Sequence, residues 1–477
     1  MAINFNLLTY KYKIDMIYTM KELKQEIIVN HLKNYGFVYP CSEIYGGIAN
    51  GWDYGPLGVL LKQNIKSLWW KEYVTTQSNA VGLDSSIILN PTVWKASGHL
   101  SNFTDPLVDC KKCHNRFRAD KLIESATGIS VAENATFEEI EKIIADNHIK
   151  CPVCGGEDWT NVRNFNLMFK TYQGVLTDKS NETYLRPETA QGIFVNFMNV
   201  QRTSRMKLPF AICQIGKAFR NEITPGNFIF RTREFEQMEC EYFTYPDKAA
   251  DLFNEQLDKI QNFVKNIIHL NPKNYRLKEH DKNDLSHYSS RTVDVEYKYP
   301  HGFSELWGIA NRRDFDLSSH ANYSKANIWY LDEKTNKKII PHVVEPSVGV
   351  ERLFYAICCD VYEEQKLEND DSRVIMHFAY DLAPYKVAIL PLVNKLQSEA
   401  YKVFNDIIKQ NISATFDTSG SIGKRYRRQD AIGTPFCITV DYDSINDNCV
   451  TIRNRDTMKQ ERIKISEIVK YLNSNKI

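Results

Sequence analysis

The chain has 477 residues, 43% apolar and 25% charged, which is the composition of a globular protein of about three domains. Lys and Arg number 60 against 59 for Asp and Glu, which excludes a polyanion-binding surface spread over the whole molecule. No apolar run is long enough to span a membrane. Eleven cysteines without a secretory leader indicate a reducing compartment, so we expect a cytoplasmic protein with thiols or metal ligands in place of disulfides.

Residues 1–19 contain aromatic and basic side chains but neither the apolar core nor the cleavage site of a signal peptide. We expect a disordered extension, with an organelle transit peptide as the alternative. After it, helical spacing of apolar residues predicts helices over Met20–Leu32 and Leu60–Val74, with a glycine-rich turn region at Gly46–Gly58 between them. Val81–Leu89 is strand-like and stops before Pro91.

Lys111–Asn164 is typical of an insertion, and it contains one clear helix that begins at a capping box formed by Thr136 and Glu139. Asn166–Glu241 is apolar, aromatic and alternating, which predicts mostly antiparallel strands. Ala249–Leu270 has apolar residues at helical spacing. Glu345–Cys359 is predicted to be a tight turn that leads into a buried helix.

The composition changes near Leu382, where strands begin to alternate with helices and predict a small α/β domain. Its predicted elements are, in order, a strand, a helix, three strands and a helix: Val387–Leu390, Val393–Lys409, Ser413–Phe416, Phe436–Val440, Cys449–Ile452 and Ile465–Leu472. Residues 382–477 carry 15 basic and 10 acidic side chains, a net charge of +5. The cluster of Lys424, Arg425, Arg427 and Arg428 suits phosphate contacts, with a solvated basic loop as the alternative.

An arginine-rich hairpin lies between Phe219 and Glu239. If residues 219–222 form a strand, Arg220 and Glu222 share one face, and a turn at Pro225–Gly226 leads to a return strand. The return strand would then place on one face Arg231, Arg233, Phe235, Gln237 and Glu239. Guanidinium groups bind phosphate oxygens, and an aromatic ring can stack on a base, so this hairpin is a candidate nucleotide grip. The alternative is a surface hairpin whose ion pairs contribute about 0–1 kcal/mol each.

The hairpin resembles motif 2 of the class II aminoacyl-tRNA synthetases. Ser347–Arg352 resembles motif 3, and the helix at Leu60–Val74 with the strand that ends at Pro91 is similar to motif 1. Further strings narrow the resemblance to homodimeric glycyl-tRNA synthetases: Gly51–Pro56, Arg186–Gln191, Phe230–Glu239, Glu305–Leu306, Gly308–Arg312 and Glu345–Ser347.

The resemblance implies an ATP site and a glycine site. The implied ATP ligands are Arg220, Asn221, Glu222, Phe230, Arg231, Thr232, Arg233, Glu234, Phe235, Glu305, Leu306, Gly349, Val350, Glu351 and Arg352, with Arg220, Arg352 and Glu305 as the catalytic groups. Arg220 would hold the α-phosphate, Arg352 the γ-phosphate, and Glu305 the Mg²⁺ that accompanies ATP. The implied glycine ligands are Glu188, Phe235, Glu236, Gln237, Met238, Glu239, Arg312, Glu345, Pro346, Ser347, Val348 and Gly349. Of the adjacent Arg312 and Arg313, we expect only Arg312 to enter the site, where it would meet the glycine carboxylate.

The fold that follows is α+β, with a class II antiparallel sheet core flanked by helices. The resemblance implies a catalytic domain at 20–381 with an insertion at 110–165, an anticodon-binding domain at 382–477, and a homodimer that charges glycine tRNA. Two rival interpretations remain. One is a synthetase-like protein without catalysis, which should have lost Arg220, Glu305 or Arg352. The other is an enzyme that uses the adenylate to make dinucleoside polyphosphates, which does not need the basic C-terminal domain.

The insertion contains two C-x-x-C pairs, Cys110 with Cys113 and Cys151 with Cys154. Four thiolates in two such pairs suit tetrahedral Zn²⁺, and Gly155 and Gly156 permit the tight backbone that follows the second pair. We therefore expect a structural zinc site, with unligated thiols as the alternative. His114 is expected to be a surface residue.

Overall fold

The computed structural model describes residues 25–476 except 133–134, 283–284, 287, 334 and 368–370. The predicted extension at residues 1–19 and the start of the helix predicted from Met20 lie outside the described residues. A helix occupies residues 25–34, which agrees with the rest of that prediction. Among the described residues, none of the helices combines the length and apolar character required to cross a membrane.

The strands, numbered in chain order, are β1 Val38–Pro40, β2 Trp52–Tyr54, β3 Ala80–Gly82, β4 Thr104–Asp109, β5 Arg116–Arg118, β6 Arg163–Asn166, β7 Lys170–Tyr172, β8 Glu182–Tyr184, β9 Phe210–Phe219, β10 Glu234–Thr244, β11 Tyr275–Glu279, β12 Arg291–Tyr299, β13 Gly302–Arg313, β14 Tyr330–Asp332, β15 Lys337–Ile339, β16 His342–Gly349, β17 Tyr362–Lys366, β18 Ser372–Met376, β19 Val387–Pro391, β20 Ala414–Phe416, β21 Phe436–Val440, β22 Cys449–Asn454 and β23 Gln460–Lys464. The helix at residues 25–34 is α1, and the others are α2 Pro56–Trp70, α3 Pro91–Ala96, α4 His99–Asn102, α5 Ala119–Thr127, α6 Phe137–Asp146, α7 Ala190–Ser204, α8 Ala249–Asn262, α9 Phe315–Ser324, α10 Val350–Val361, α11 Gln397–Ile408, α12 Ile422–Ile432, α13 Ser444–Asp447 and α14 Ile468–Ser474.

A seven-stranded sheet forms the centre of the molecule, in the order β11-β12-β13-β16-β10-β9-β3. Every pair is antiparallel except β3 with β9, which is parallel. Side chains alternate across each strand, so the two faces carry different clusters. Met238, Cys240 and Tyr242 pack on one face in the larger core, which includes apolar residues of α2, α8 and α10. Phe243 packs on the other face with α7 and α9.

Three predictions for this region are wrong. The strand expected over Val81–Leu89 is only Ala80–Gly82, and the turn expected at Glu345 is the strand β16, which leads directly into α10. The helix α7 was missed within the stretch predicted as strands. Its β-branched and aromatic residues favour strands locally, but they are buried on one helical face, and tertiary packing overrides that preference.

The insertion forms a three-stranded sheet in the order β5-β4-β6 with two helices, α5 and α6. The predicted capping box is confirmed: the Glu139 backbone N–H donates to Thr136 Oγ1 at 3.2 Å, and the Thr136 backbone N–H donates to Glu139 Oε2 at 2.8 Å. Only one of the two helices was predicted.

The C-terminal residues form a five-stranded mixed sheet in the order β20-β19-β21-β22-β23 with helices, which confirms the α/β prediction. The helix α12 and the strand β23 were missed. α12 carries the basic cluster, so the interpretation of that cluster as a loop is wrong.

The expectation that the cysteines form no disulfide is also wrong. Cys213 on β9 and Cys240 on β10 lie directly opposite each other in the antiparallel pair and are joined by a disulfide. Alternation along each strand could not show this pairing, because it depends on the register between the two strands.

Candidate active site

A cavity of about 930 Å³ opens on the face of the central sheet where β10, β12, β13 and β16 meet. Its volume is within the range of small-molecule sites. Phe235, Gln237 and Glu239 line it from β10, as the predicted alternation requires. Four of its arginines line one end, and three glutamates line the other, so the two ends differ in the groups that they can bind.

The arginine loop between β9 and β10 is not the simple hairpin that the sequence suggests. β9 ends at Phe219. Beyond it the Asn221 backbone N–H donates to Leu167 O at 2.8 Å, so the chain no longer pairs with β10 there. Asn227 and Phe228 adopt positive φ values of 55° and 58° at the tip. Asn50 Nδ2 donates to Phe228 O at 2.8 Å and to Arg231 O at 2.7 Å. A glycine-rich segment distant in sequence therefore fixes the loop.

Arg220, Arg231 and Arg352 all line this end of the cavity. The Arg220 guanidinium lies 5.3 Å from the centres of the Phe103 and Phe235 rings, within the range of a cation–π contact. Arg352 Nη1 donates to Glu305 Oε2 at 2.9 Å. Burial lowers the pKa of Arg231, although its guanidinium remains charged.

Arg118, which the sequence reasoning missed, adds a fourth guanidinium to this end of the cavity. It pairs with Asp120 at 2.8 Å and with Asp105 at 3.2 Å. It belongs to the insertion, and the approach of that segment to the loop after β9 could not be inferred from the chain order.

Asp294 lies beside Glu305 and was also missed. A Cβ placed on Gly308 would be 3.5 Å from Asp294 Oδ1 and 3.6 Å from Glu305 Oε1, so the two carboxylates flank one glycine. Burial and the charge of Glu305 raise the pKa of Asp294 to about 6. The available signal was alternation on β12, which places Thr292, Asp294 and Glu296 on one face.

The acidic end of the cavity contains Glu188, Glu239 and Glu345. Glu239 accepts hydrogen bonds from Ser347 Oγ at 2.8 Å, from Gln237 Nε2 at 2.8 Å and from Thr189 Oγ1. Burial and the neighbouring Glu188 raise the pKa of Glu239. Burial would also raise the pKa of Glu188, but His99 and Arg312 outweigh it and hold that pKa below its usual range.

Arg312 lines the acidic end, whereas Arg313 is exposed, as predicted. The Arg312 guanidinium already has partners, because it donates to Asp316 at 2.7 and 2.9 Å and to Glu345 Oε2 at 2.8 Å. These contacts hold Glu345 in place at the wall of the cavity.

Three family models match the chain: the tRNA synthetase class II core domain (G, H, P, S and T) over residues 169–361, glycyl-tRNA synthetase insertion domain 1 over 126–167, and the anticodon binding domain over 386–475. The glycine–tRNA ligase of Ureaplasma urealyticum serovar 10 is 61% identical over 94% of the chain and 96% of its own length. The chain belongs to the glycine–tRNA ligase family. The ligase of Malacoplasma penetrans is 57% identical over 94% of the chain and 97% of its own length, and that of Acetivibrio thermocellus is 55% identical over the same shares.

A solved structure of the prolyl-tRNA synthetase from Cryptosporidium parvum has a TM-score of 0.60 and 13% identity, over 94% of this chain and 77% of that one. At that identity the likeness concerns the fold alone, and it agrees with the predicted class II synthetase core.

Several positions implied by the resemblance to glycine–tRNA ligases place their side chains outside the cavity. Met238, Leu306, Val348 and Val350 pack in the larger core on the opposite face. Glu236 pairs with Lys62 at 2.6 Å on that same opposite side. The lining also leaves out Asn221, Arg233, Glu234 and Pro346. Arg233 was expected to share the face of Phe235, but its Nε donates to Glu222 O at 3.3 Å in the loop.

The four cysteines of the insertion come together, with all four Sγ atoms within 4.8 Å of one another. The Sγ atoms of Cys110 and Cys154 are 3.5 Å apart, and those of Cys113 and Cys151 are 3.6 Å apart. A tetrahedral zinc site with Zn–S bonds of about 2.3 Å needs sulfurs ~3.8 Å apart, so this donor set fits the metal.

The two knuckles have matching backbones. The residue after each pair has a positive φ, 58° at His114 and 69° at Gly155. In each case its N–H donates to the carbonyl of the first cysteine at 2.8 Å. His114 itself is exposed, as predicted.

Proposed function

We propose that this protein activates glycine with ATP and transfers it to the 3′ end of glycine tRNA. The observation that carries the proposal is one cavity that combines four arginines at one end with the carboxylates Glu188, Glu239 and Glu345 at the other. A nucleotide triphosphate needs the cations, and the ammonium of a small amino acid needs the acids. The ligases that resemble this chain over nearly its whole length carry the name of the same reaction.

At the cationic end, Arg220 would bind the α-phosphate, Arg231 the β,γ end and Arg352 the γ-phosphate. Phe235 would stack on adenine, with Glu222 at its amino edge. Mg²⁺ prefers carboxylate oxygens, and Glu305 with Asp294 offers such a pair, so these residues would hold the ion that accompanies ATP. When bound, Mg²⁺ neutralises phosphate charge.

At the acidic end, Glu188, Glu239 and Ser347 would surround the glycine ammonium. Glycine offers no side chain to recognise, so selection must come from a pocket that leaves no room for a methyl group. Glu345 forms part of its wall, where Arg312 holds it at 2.8 Å. Because Arg312 is already paired with two acids, its interaction with the glycine carboxylate must use the remaining N–H groups.

The reaction would proceed in two steps. The glycine carboxylate attacks the α-phosphorus in line, which forms glycyl-adenylate and releases pyrophosphate. Arg220 stabilises the negative charge that develops on the phosphorus oxygens. The terminal adenosine hydroxyl of tRNA then attacks the activated carbonyl, and AMP leaves. Orientation in the cavity and fixed charge would supply most of the rate enhancement.

Replacement of Arg220 tests this proposal. Arg220→Ala should lower glycine-dependent pyrophosphate exchange by a factor of about 100 or more, since one preorganised charge is removed from the transition state. Arg202→Ala, an exposed arginine at the end of α7, is the matched control and should retain exchange. Near-normal exchange in Arg220→Ala would contradict the proposal, and stronger exchange with alanine than with glycine would contradict the choice of substrate.

The C-terminal domain would bind the anticodon, and three of the four residues of the predicted basic cluster remain available for phosphate contacts. Arg425 is buried and donates to Thr418 O at 2.7 Å. Arg427 donates to Ser372 O, and Arg428 pairs with Asp417 at 2.7 Å. Lys424 is exposed, and the side chains of Arg427 and Arg428 keep relative exposures of 39% and 38%, so only Arg425 is withdrawn from the surface.

The four cysteines would bind structural zinc. Metal analysis should give about one zinc per chain, Cys113→Ser should lose it, and Cys449→Ser, outside the insertion, should retain it. Far less than one zinc in the unaltered protein would refute the site.

A homodimer and a cytoplasmic location complete the proposal. Exposed apolar side chains near α2 support an interface there: Tyr39, Ile44, Tyr45, Ile48 and Val59. Sedimentation should give twice the chain mass of 55.4 kDa. A monomer would contradict the proposed homodimer and leave the proposed reaction unaffected. The cytoplasm is where translation uses charged tRNA.

A further inference from the structure

Glu241 is a buried acid that the proposed reaction does not use. It follows Phe235, Gln237 and Glu239 on the same face of β10, one step deeper than the cavity wall. Its relative exposure is 0%, and neither carboxylate oxygen receives a hydrogen bond from a donor among the described residues. A buried polar group without a partner is costly, so the state of this carboxyl group needs an explanation.

The neighbouring strands do not supply a cation. On β9 the residue directly opposite Glu241 is Ile212, which is fully buried. On β16, Tyr242 pairs with Val344 and Glu239 with Ser347, so Glu241 lies opposite Glu345 between these two pairs. Two carboxylates directly across a strand pair repel each other, and burial strengthens the repulsion.

The charges around this pair are mostly negative. Arg312 on β13 directs two nitrogens to Asp316 on α9 and one to Glu345. Among the described residues, the other titratable groups at this end are Glu188, Glu239, His99, Tyr288 and His320. Burial lowers the pKa of His320, so it adds no positive charge at neutral pH, and burial raises the pKa of Tyr288 to about 12, so it stays neutral. One arginine faces too many acids for all of them to be ionised.

We propose that Glu241 and Glu345 share one proton and that the ammonium of the bound amino acid displaces it. Glu241 is the acid that donates its O–H to Glu345, and it acts on the substrate only through Glu345, as a positioning residue. When the amino acid enters as a zwitterion, its ammonium supplies the positive charge, the pair becomes a dicarboxylate, and the proton passes to the buffer. The inference rests on the proposed glycine site.

Burial raises the pKa of Glu345 to about 8 and raises that of Glu241 well above its ordinary value. At neutral pH the free pair therefore holds a proton that glycine must displace. The dissociation constant of glycine should fall as pH rises from 6 to 8, by up to about tenfold per pH unit. A site whose acids are all ionised before binding would show no such slope.

Calorimetric titration of the full-length protein with glycine, in two buffers of different ionisation enthalpy at pH 7, measures the protons released. The unaltered protein should release close to one. Glu241→Gln keeps a donor to Glu345 through its amide N–H but has no proton to lose, so it should release far fewer and lose the pH slope. Asp360→Asn is the control. The Asp360 carboxylate accepts hydrogen bonds from Asn271 and Asn274 and does not line the cavity. This variant should match the unaltered protein.

Glycine binding without proton release in the unaltered protein, or equal release in Glu241→Gln, overturns the inference. If Glu241→Gln does not fold, the unaltered protein decides alone: a dissociation constant that is flat from pH 6 to 8 overturns it, and the expected slope supports it. Failure of the unaltered protein to bind glycine at all is a separate result, which refutes the proposed function and the inference with it.

Discussion

Gly216 shows how a missing side chain can position a functional one. An ideal Cβ at this position of β9 would lie 2.2 Å from Arg186 Nη2. The Arg186 side chain fills that space, where its Nε donates to Lys217 O at 2.6 Å and its Nη1 to Ser85 O at 2.7 Å. Because Glu188 follows Arg186 by two residues, the glycine fixes the backbone that carries one of the proposed ammonium ligands.

Gly216→Ala should therefore displace Arg186 and lower the free energy of unfolding by about 2–4 kcal/mol, since buried hydrogen bonds from a charged group are lost. The KM of Gly216→Ala for glycine should also rise, because the backbone that carries Glu188 shifts. Urea denaturation and pyrophosphate exchange measure the two effects. Gly423→Ala is the matched control, because nothing lies within 4 Å of its added Cβ. Equal stability of the two variants would contradict the packing argument.

At the scale of elements, three segments are joined behind the cavity by one buried network. Lys62 of α2 pairs with Glu236 of β10 at 2.6 Å and with Glu351 of α10 at 2.8 Å. Glu351 Oε2 also accepts the backbone N–H of Glu236 at 2.9 Å. Phe235 and Arg352 are the chain neighbours of these two acids, so the network determines where both enter the cavity.

Lys62→Met should leave two buried acids without their main cation and cost about 3–5 kcal/mol of unfolding free energy. It should raise the KM for ATP more than that for glycine, since Phe235 and Arg352 are the proposed nucleotide ligands. Lys66→Met removes a more exposed lysine that pairs with the same Glu236 at 3.1 Å, and should cost no more than about 1 kcal/mol. A similar loss of unfolding free energy in both variants would contradict the conclusion that Lys62 is the main cation of this network.

For the whole molecule, a buried charge cluster joins the C-terminal domain to the segment that precedes it. Asp430 of α12 accepts hydrogen bonds from Arg373 of β18 at 2.9 Å and from Arg453 of β22 at 2.8 and 3.0 Å. Arg455 adds hydrogen bonds to Phe378 O at 3.0 Å and to Gly433 O at 2.8 Å. These contacts fix how the domain is attached.

Asp430→Ala should leave two buried arginines unpaired and destabilise this junction by about 3–5 kcal/mol. Charging of tRNA should fall more than glycine-dependent pyrophosphate exchange, because exchange uses only the cavity in the other domain. Glu399→Ala removes an exposed acid of α11 that pairs with Lys402, and should change neither rate. An equal fall of both rates in Asp430→Ala would show that the junction also supports the cavity.

The sequence by itself determined what depends on near neighbours along the chain. The helix at Ala249–Asn262, the capping box at Thr136 and the C-terminal strands follow from local spacing. So does the common face of Phe235, Gln237 and Glu239, because alternation is a property of one strand. The two C-x-x-C pairs needed only their own short spacing to suggest a shared metal.

Only the tertiary structure decided which strands become neighbours and in what register. That decision placed Asp294 beside Glu305, Glu241 opposite Glu345 and Arg118 at the arginine end of the cavity. It also buried Arg425, where local composition indicated a surface for phosphate. The physical reason is that the partner of a charged side chain is chosen by contacts between residues far apart in sequence, which residue spacing does not encode.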